Sequence, residues 1–143
     1  MKIFTSVLFS VLFAFSLSAQ SYSDAIIGKW KSEDKKTVVE IYKQGNVYLG
    51  KIVWIAQPID TDTGKPRTDI ENPDPAKRNV PLIGLVVMRN LQFKDGFWKD
   101  GEIYNSGNGE TYDGDIWLEN NDLLKMKAYW YFMSQTESWT REK

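Results

Sequence analysis

The chain has 143 residues, a formal net charge of −1 and neither cysteine nor histidine, and 14% of its residues are aromatic. These counts exclude disulfides, Ser-His-Asp and Cys-His nucleophile systems and histidine-ligated zinc sites, so acid–base chemistry would fall to carboxylates, lysine or tyrosine. The sequence has no block of like charge and therefore gives no electrostatic case for binding nucleic acid. No motif calls for a cofactor.

The first 19 residues have the pattern of a secretory signal peptide. Lys2 supplies a positive charge, residues 3–17 are apolar, and Ala19 is a small residue at the cleavage position. The alternative is a membrane anchor, but the run is short for a bilayer span and no basic stop follows it. We expect an exported chain, periplasmic or extracellular, that begins near Gln20 and folds residues 20–143 as a single domain without a membrane span.

The first part of that domain predicts a helical turn at residues 22–27 and a strand that opens at Gly28. Residues 37–43 and 47–55 are rich in β-branched and aromatic side chains and are joined by a short polar turn, which predicts a hairpin. Alternation along the second of these strands predicts one face made of Tyr48, Gly50, Ile52 and Trp54.

The middle of the chain predicts an aromatic hairpin. Residues 98–112 contain two turn signals, Asp100-Gly101 and Asn108-Gly109, among tryptophan, isoleucine and tyrosine. Asn-Gly suits a tight turn because both of its central positions need a positive φ. Residues 83–91 precede this hairpin as a strand, and a further turn is expected at Asp95-Gly96.

Three further strands are predicted after the hairpin. They cover residues 111–118, 123–132 and 135–141. The second of them alternates cleanly between apolar and polar residues, which is typical of a strand with one buried face.

The sequence therefore predicts an all-β fold of about eight short strands with hairpin connections. Consecutive antiparallel strands of this number either stack as a sandwich or close as a barrel, which removes exposed edges. The residues alone leave both arrangements open, with one long loop over residues 57–82.

That loop has an unusual composition. Residues 57–81 are rich in Pro, Asp, Asn and Thr and show no apolar period, and one helical turn is possible after Pro75. Structureless connections of this length are uncommon in compact domains and often act as lids or binding loops. We expect this loop to act as a lid, with polar ligand contacts from Asn72, Asp74 and Arg78.

Several short motifs, in this order, resemble the bacterial exported family known as domain of unknown function 2147 (DUF2147). They are Gly28-x-Trp30, Leu49-Gly50-Lys51-Ile52-Val53-Trp54, Asp69-x-x-Asn72-Pro73-Asp74, Pro81-Leu82-Ile83-Gly84-Leu85, Trp98-x-x-Gly101-x-Ile103-Tyr104, Asn108-Gly109-x-Thr111-Tyr112 and Thr136-x-x-Trp139-Thr140-Arg141. The resemblance implies a small exported protein without an established reaction, folded as a closed or nearly closed antiparallel up-and-down β-barrel of about eight strands and of lipocalin-like character. This chain departs from the family pattern at Asn105-Ser106, where Asp-Pro is usual, and at Ser134-Gln135, where Gly-Arg is usual. If that arginine binds an anion in relatives, this chain has lost the contact.

The lipocalin resemblance also implies a sealed barrel end. Lipocalins place a Gly-x-Trp on the first strand and an arginine on the last, with the guanidinium over the indole. Gly28, Trp30 and Arg141 occupy these places. The alternative is that Arg141 is an unpaired surface residue.

Aromatic residues are more numerous than the core of a small barrel needs. They either fill a barrel too narrow for a ligand or line a cavity open at one end, with tyrosine and tryptophan offering an apolar face and one polar group. The candidate ligand-binding set on the strands is Tyr42, Trp54, Trp98, Tyr104, Tyr112 and Trp139.

Two acidic groups suggest other chemistry. The run from Asp60 to Glu71 resembles a calcium-binding loop at its first and last ligands only, because Lys65 stands where that loop needs glycine. Four carboxylates near the central hairpin could include a glycosidase pair, although charged strand ends are usually just solvated. They are Glu102, Glu110, Asp113 and Asp115.

Together these observations favour a non-catalytic exported barrel that binds a small, partly apolar ligand, such as a lipid, in or at the mouth of the barrel. The alternative is an envelope module that uses its aromatic surface to bind protein or glycan. An enzyme is the third possibility, with no catalytic residue or metal ligand assigned.

Overall fold

The structure, a computed structural model, describes residues 22–143, so the expected signal peptide and cleavage position lie outside the described residues. Each strand pairs antiparallel with the next, and the last pairs back with the first to close a barrel, which confirms the predicted up-and-down topology. No helix in the described part is long and apolar enough to cross a membrane. The strands are β1 (Gly28–Lys31), β2 (Thr37–Gln44), β3 (Val47–Ile55), β4 (Val86–Lys94), β5 (Phe97–Asn105), β6 (Glu110–Asn120), β7 (Leu123–Trp130) and β8 (Met133–Glu142).

The two turn signals of the central hairpin have different outcomes. Asn108-Gly109 lies in the β5–β6 turn as predicted, but of these two residues only Gly109 has a positive φ (+74°), so the turn is not the tight type expected. Asp100-Gly101 was expected to turn but lies within β5, where the pairing with β6 shifts register. The positive φ of Asp100, +58°, serves this bulge rather than a chain reversal. Gly101 is needed there because a Cβ would collide with the Leu91 side chain.

Several strand ends also differ from the sequence expectations, and two of these differences have a clear cause in the backbone. β4 begins at Val86 rather than residue 83, because the long connection continues through Gly84, whose φ is +93°. β7 ends at Trp130 rather than residue 132, because Tyr131 turns the chain with a φ of +51°. The aromatic side chains of Tyr131 and Phe132 are consequently almost fully solvent-exposed at a hairpin tip.

One half of the barrel interior is solidly packed. This closed half lies at the end where β1 begins and β8 finishes, and its side chains include the fully buried Trp98, Leu91, Ile116 and Leu124. The N-terminal helical turn, residues 22–27, caps this end, and its carbonyl groups accept hydrogen bonds from the indoles beneath. Trp98 Nε1 donates to Ser23 O at 3.1 Å, and Trp30 Nε1 donates to Ile26 O at 2.8 Å.

A cation–aromatic contact completes the closed end. Arg141 lies directly opposite Trp30 in the β1–β8 pairing, and its guanidinium carbon is 4.2 Å from the centroid of the buried indole. The same guanidinium donates to the carbonyls of Ala25 (2.7 Å), Ile27 (3.0 Å) and Asn121 (2.6 Å). A Cβ on Gly28 would lie 2.7 Å from the guanidinium, so glycine is the residue that leaves room for it.

We predict that Trp30→Ala lowers the free energy of unfolding by ~3–5 kcal/mol, the range for truncating a buried tryptophan. Arg141→Ala should lower it by less, and the double variant should lose less than the sum because the two side chains share one contact. Denaturant unfolding of the four proteins measures this coupling. Arg89→Ala, on the outer wall, is the control and should change stability by no more than about 0.5 kcal/mol. Additive losses would show that the indole and guanidinium do not act together.

Candidate ligand-binding cavity

The other half of the barrel is hollow. A cavity of about 760 Å³ occupies the end of the barrel where the β1–β2, β5–β6 and β7–β8 connections lie. Small-molecule sites in proteins span roughly 300–1,000 Å³. Eight-stranded barrels are just wide enough to hold one small ligand. This open half therefore has the dimensions of a ligand site.

The cavity has an apolar floor and aromatic walls. Tyr112 and Trp130 meet near the mouth with ring centroids 5.9 Å apart and an interplanar angle of 64°. Trp139 and Tyr104 also line the cavity and are largely buried. The aliphatic and thioether side chains of the lining are Val39, Ile52, Val87, Met88, Ile103 and Met126.

Three carboxylates lie along one side of the cavity. Glu137 on β8 accepts from Trp139 Nε1 at 3.3 Å, and Glu33 accepts from the backbone N–H of Ser138 at 3.0 Å. Asp34 accepts from Ser32 Oγ at 2.6 Å, and this bond, together with one from a backbone N–H, lowers the pKa of the Asp34 carboxyl. The cavity thus has one acidic side next to β8.

The predicted strand aromatics divide into two groups. Tyr104, Tyr112 and Trp139 line the cavity. Trp98 instead belongs to the packed closed half, where its ring contacts Phe93 at 5.0 Å between centroids. Tyr42 lies on the outer wall under the ammonium of Lys51, 5.2 Å from its ring centroid. Trp98 and Tyr42 are therefore not part of the candidate site.

Trp54 is also outside the cavity, because a bulge breaks the alternation expected along β3. Val39 pairs with Ile52, but the neighbouring Val38 pairs with Trp54, so one extra residue is inserted in β3. The expected common face of Ile52 and Trp54 is therefore wrong. Trp54 lies outside with Lys31, whose ammonium is 5.1 Å from the indole centroid.

The long connection contributes no residue to the cavity lining among residues 22–143, so Asn72, Asp74 and Arg78 are not placed against a ligand. Their hydrogen bonds are made within the loop. Asn72 Nδ2 donates to Asp69 at 2.7 Å, Asp74 caps the 3-10 turn Pro75–Lys77, and Arg78 Nε donates to Asn72 O at 2.8 Å. The loop packs beside the mouth, where the Glu71 carbonyl lies against Gly109.

Asp69 attaches the loop to the barrel. Its fully buried carboxylate accepts from the Tyr104 hydroxyl at 2.8 Å, in addition to the bond from Asn72. Burial raises the pKa of Tyr104 to about 12, and the hydrogen bond to the Asp69 carboxylate contributes in the same direction. The phenol is therefore held neutral as a donor and is a structural member of the cavity wall.

The two alternative acidic sites are not assembled. Asp60 accepts from the backbone N–H groups of Asp62 and Thr63 and closes a small turn of the loop. Within residues 22–143 no three acidic side chains come together as metal ligands. None of the four carboxylates near the central hairpin lines the cavity, and Glu102 and Asp113 face each other across β5 and β6 in exposed positions.

Sequence reasoning missed the acidic side of the cavity, although a signal for Glu137 was present. Trp139 and Arg141 were expected to point into the barrel, and alternation along one strand carries Glu137 and Gln135 to the same face. Both residues line the cavity. Glu33 and Asp34 lie in a short connection whose direction no periodicity predicts.

A closed eight-stranded up-and-down barrel, sealed at one end by arginine on tryptophan and hollow at the other, defines a lipocalin-like protein. The chain belongs to the DUF2147 family, described as an uncharacterized protein conserved in bacteria, which it matches over residues 28–141.

The barrel is similar to a solved structure described as protein HP1028 from the human pathogen Helicobacter pylori, which belongs to the lipocalin family. The TM-score is 0.68 at 24% sequence identity, and the match covers 82% of this chain and 83% of the other. At this identity the likeness establishes the fold. A search of curated proteins found no significant match.

The elevated pKa of Tyr104 makes stability depend on alkaline pH. The unfolded phenol loses its proton near pH 10 but the folded one near 12, so the folded state binds more protons between these values. The stabilisation is complete below about pH 10 and should be lost as the pH rises towards about 12. Denaturant unfolding across this range should show a shallower decline for Tyr104→Phe than for the unmodified protein. Identical pH profiles would contradict the assignment.

Proposed function

We propose that this protein is an exported, non-catalytic lipocalin-like carrier that binds one small, partly apolar molecule in the open half of the barrel. The observation that carries the proposal is the contrast between the two halves, since the same eight strands enclose tightly packed side chains at one end and about 760 Å³ of space at the other. A barrel with a purely structural role would have no need for a cavity at one end.

The lining suits an amphiphile. The apolar floor can take up an alkyl chain or ring, and each buried methylene contributes ~0.8 kcal/mol. An eight-carbon chain would then gain roughly 6 kcal/mol before the entropy cost of association is subtracted. The polar groups at the mouth, among them Asn105, Asn108 and Gln135, can meet the polar end.

A neutral fluorescent probe tests for this site. N-phenyl-1-naphthylamine should bind with one-to-one stoichiometry, brighten, and accept energy from Trp130 and Trp139, which line the cavity. Saturating probe should also raise the melting temperature, because it binds only the folded state. Fluorescence titration and thermal unfolding measure the two effects.

Blocking the cavity should abolish this binding. Ala128→Phe introduces a ring into the lining and should weaken probe binding at least about tenfold, a loss of ~1.4 kcal/mol. The matched control is Thr136→Phe, which places the same ring at an exposed position beside Lys127 on the neighbouring strand. Equal affinities for both variants, or no saturable binding to the unmodified protein, would contradict the carrier function.

One observation favours a second function, binding of a protein or glycan through an aromatic surface. Tyr131 and Phe132 are 100% and 96% exposed at the β7–β8 tip, and Met133 beside them is 47% exposed. Isolated exposed apolar residues are ordinary, but three in succession at a hairpin tip form a contact point. Replacing Tyr131 and Phe132 by serine should leave probe affinity unchanged, which separates this surface from the cavity.

The export that we propose rests on the N-terminal sequence pattern. Mass spectrometry of the protein isolated from the envelope or medium of the producing cells should show a new N-terminus near Gln20. Replacing apolar residues of the 3–17 run by charged ones should retain the unprocessed chain inside the cell. A mature protein that keeps Met1 would contradict cleavage.

A further inference from the structure

We propose that the cavity selects ligands that carry a positive charge, such as alkylammonium amphiphiles, over fatty acids and other anions. This inference rests on the proposed carrier function and adds the ligand's charge. It follows from the distribution of ionisable and aromatic side chains around the hollow half of the barrel.

Among residues 22–143, all the charged side chains that line the cavity are acidic. Glu137 projects from the inward-facing side of β8, and Glu33 and Asp34 reach the same side from the β1–β2 connection. The bond from the Ser138 N–H to Glu33 brings that carboxylate next to the strand that carries Glu137. Negative charge is thus concentrated on one wall rather than spread around the mouth.

No lysine or arginine from residues 22–143 lines the cavity, and none of the salt bridges in that part of the chain involves these three carboxylates. The nearby cations on β7 and β8 make other contacts. Lys125 donates to Ser138 Oγ, Lys127 lies over the ring of Tyr129, and Arg141 is committed to the closed end. The positive charge of Lys36 acts on Asp34 and helps to lower the pKa of that carboxyl, but no salt bridge within residues 22–143 neutralises Glu33 or Glu137.

Aromatic faces border the same wall. The indole of Trp139 donates a hydrogen bond to Glu137, and Trp130 and Tyr112 lie at the mouth on neighbouring strands. Aromatic rings attract cations through their quadrupole, and this attraction increases when the cation is desolvated. An ammonium group at the mouth would contact carboxylates as well as ring faces, and its alkyl chain would lie against the apolar floor.

A fatty acid would bind less favourably in this cavity. Its alkyl chain gains the same burial, but its carboxylate would be drawn from water to a wall that already holds three carboxylates, where like charges repel. The cavity therefore discriminates by charge against ligands that its apolar floor alone would accept.

Three ligands with the same ten-carbon chain test this selectivity. Decyltrimethylammonium, 1-decanol and decanoate would each displace N-phenyl-1-naphthylamine at neutral pH and low salt. We expect the cation to bind roughly tenfold more tightly than the alcohol, and the anion more weakly than the alcohol. Raising the salt concentration from about 20 mM to about 500 mM should reduce the preference for the cation, because the mouth is open to screening.

Glu137→Gln should weaken binding of decyltrimethylammonium several-fold, strengthen binding of decanoate and leave 1-decanol unchanged. Glu119→Gln is the matched control, since it removes one negative charge from an exposed position of β6 outside the cavity. The salt series on the unmodified protein tests the inference independently of how well the variant folds.

The outcomes separate the two proposals. Binding of decanoate equal to or tighter than that of decyltrimethylammonium, or a salt-independent preference, overturns the charge selectivity and leaves the carrier function standing. An equal effect of Glu137→Gln on all three ligands also overturns it. Failure of all three ligands and of the probe to bind overturns the carrier function and the selectivity with it.

Discussion

The contact between Arg141 and Trp30 is the constraint on which the rest of the barrel depends. It joins the first and last strands. Its register places the guanidinium over the indole, and the guanidinium N–H groups donate to the backbone carbonyls of Ala25 and Ile27 in the N-terminal turn. Because that one side chain ties β1, β8, the N-terminal turn and the β6–β7 turn together, the barrel needs no disulfide to fix its closure.

The seal also explains how the interior divides. With one end fixed by Arg141 and capped by the N-terminal turn, large side chains such as Trp98 can fill the adjacent half without a gap. The other end lacks such a cap among the described residues, because the long loop is held beside the mouth by Asp69 and Tyr104 rather than across it. The barrel is therefore filled at the end that the N-terminal turn caps, and hollow at the end where the long loop is held beside the mouth.

The number of strands, their order and the inward face of β7 could be predicted from the sequence because alternation and turn residues are local signals. Bulges could not, since they insert a residue without a distinctive composition, and one of them moved Trp54 from the expected inner face to the outer wall. Asp100-Gly101 shows the same limit, because a positive φ suits a bulge as well as a turn. The acidic side of the cavity depends on how the short β1–β2 connection folds, and only the position of Glu137 follows from a periodic pattern.

The unequal filling of the barrel also bears on where the structure opens first. Local opening is easiest where few apolar contacts hold the backbone, so amide hydrogens near Leu91 and Ile116 should exchange with solvent only when the whole barrel unfolds. Ala128 and Gln135 of the β7–β8 hairpin line the cavity, where fewer apolar contacts hold the backbone, so their amides should exchange sooner. A molecule in the cavity would therefore slow exchange at one rim of the barrel and leave the other almost unchanged, which makes the protection pattern a direct record of occupancy.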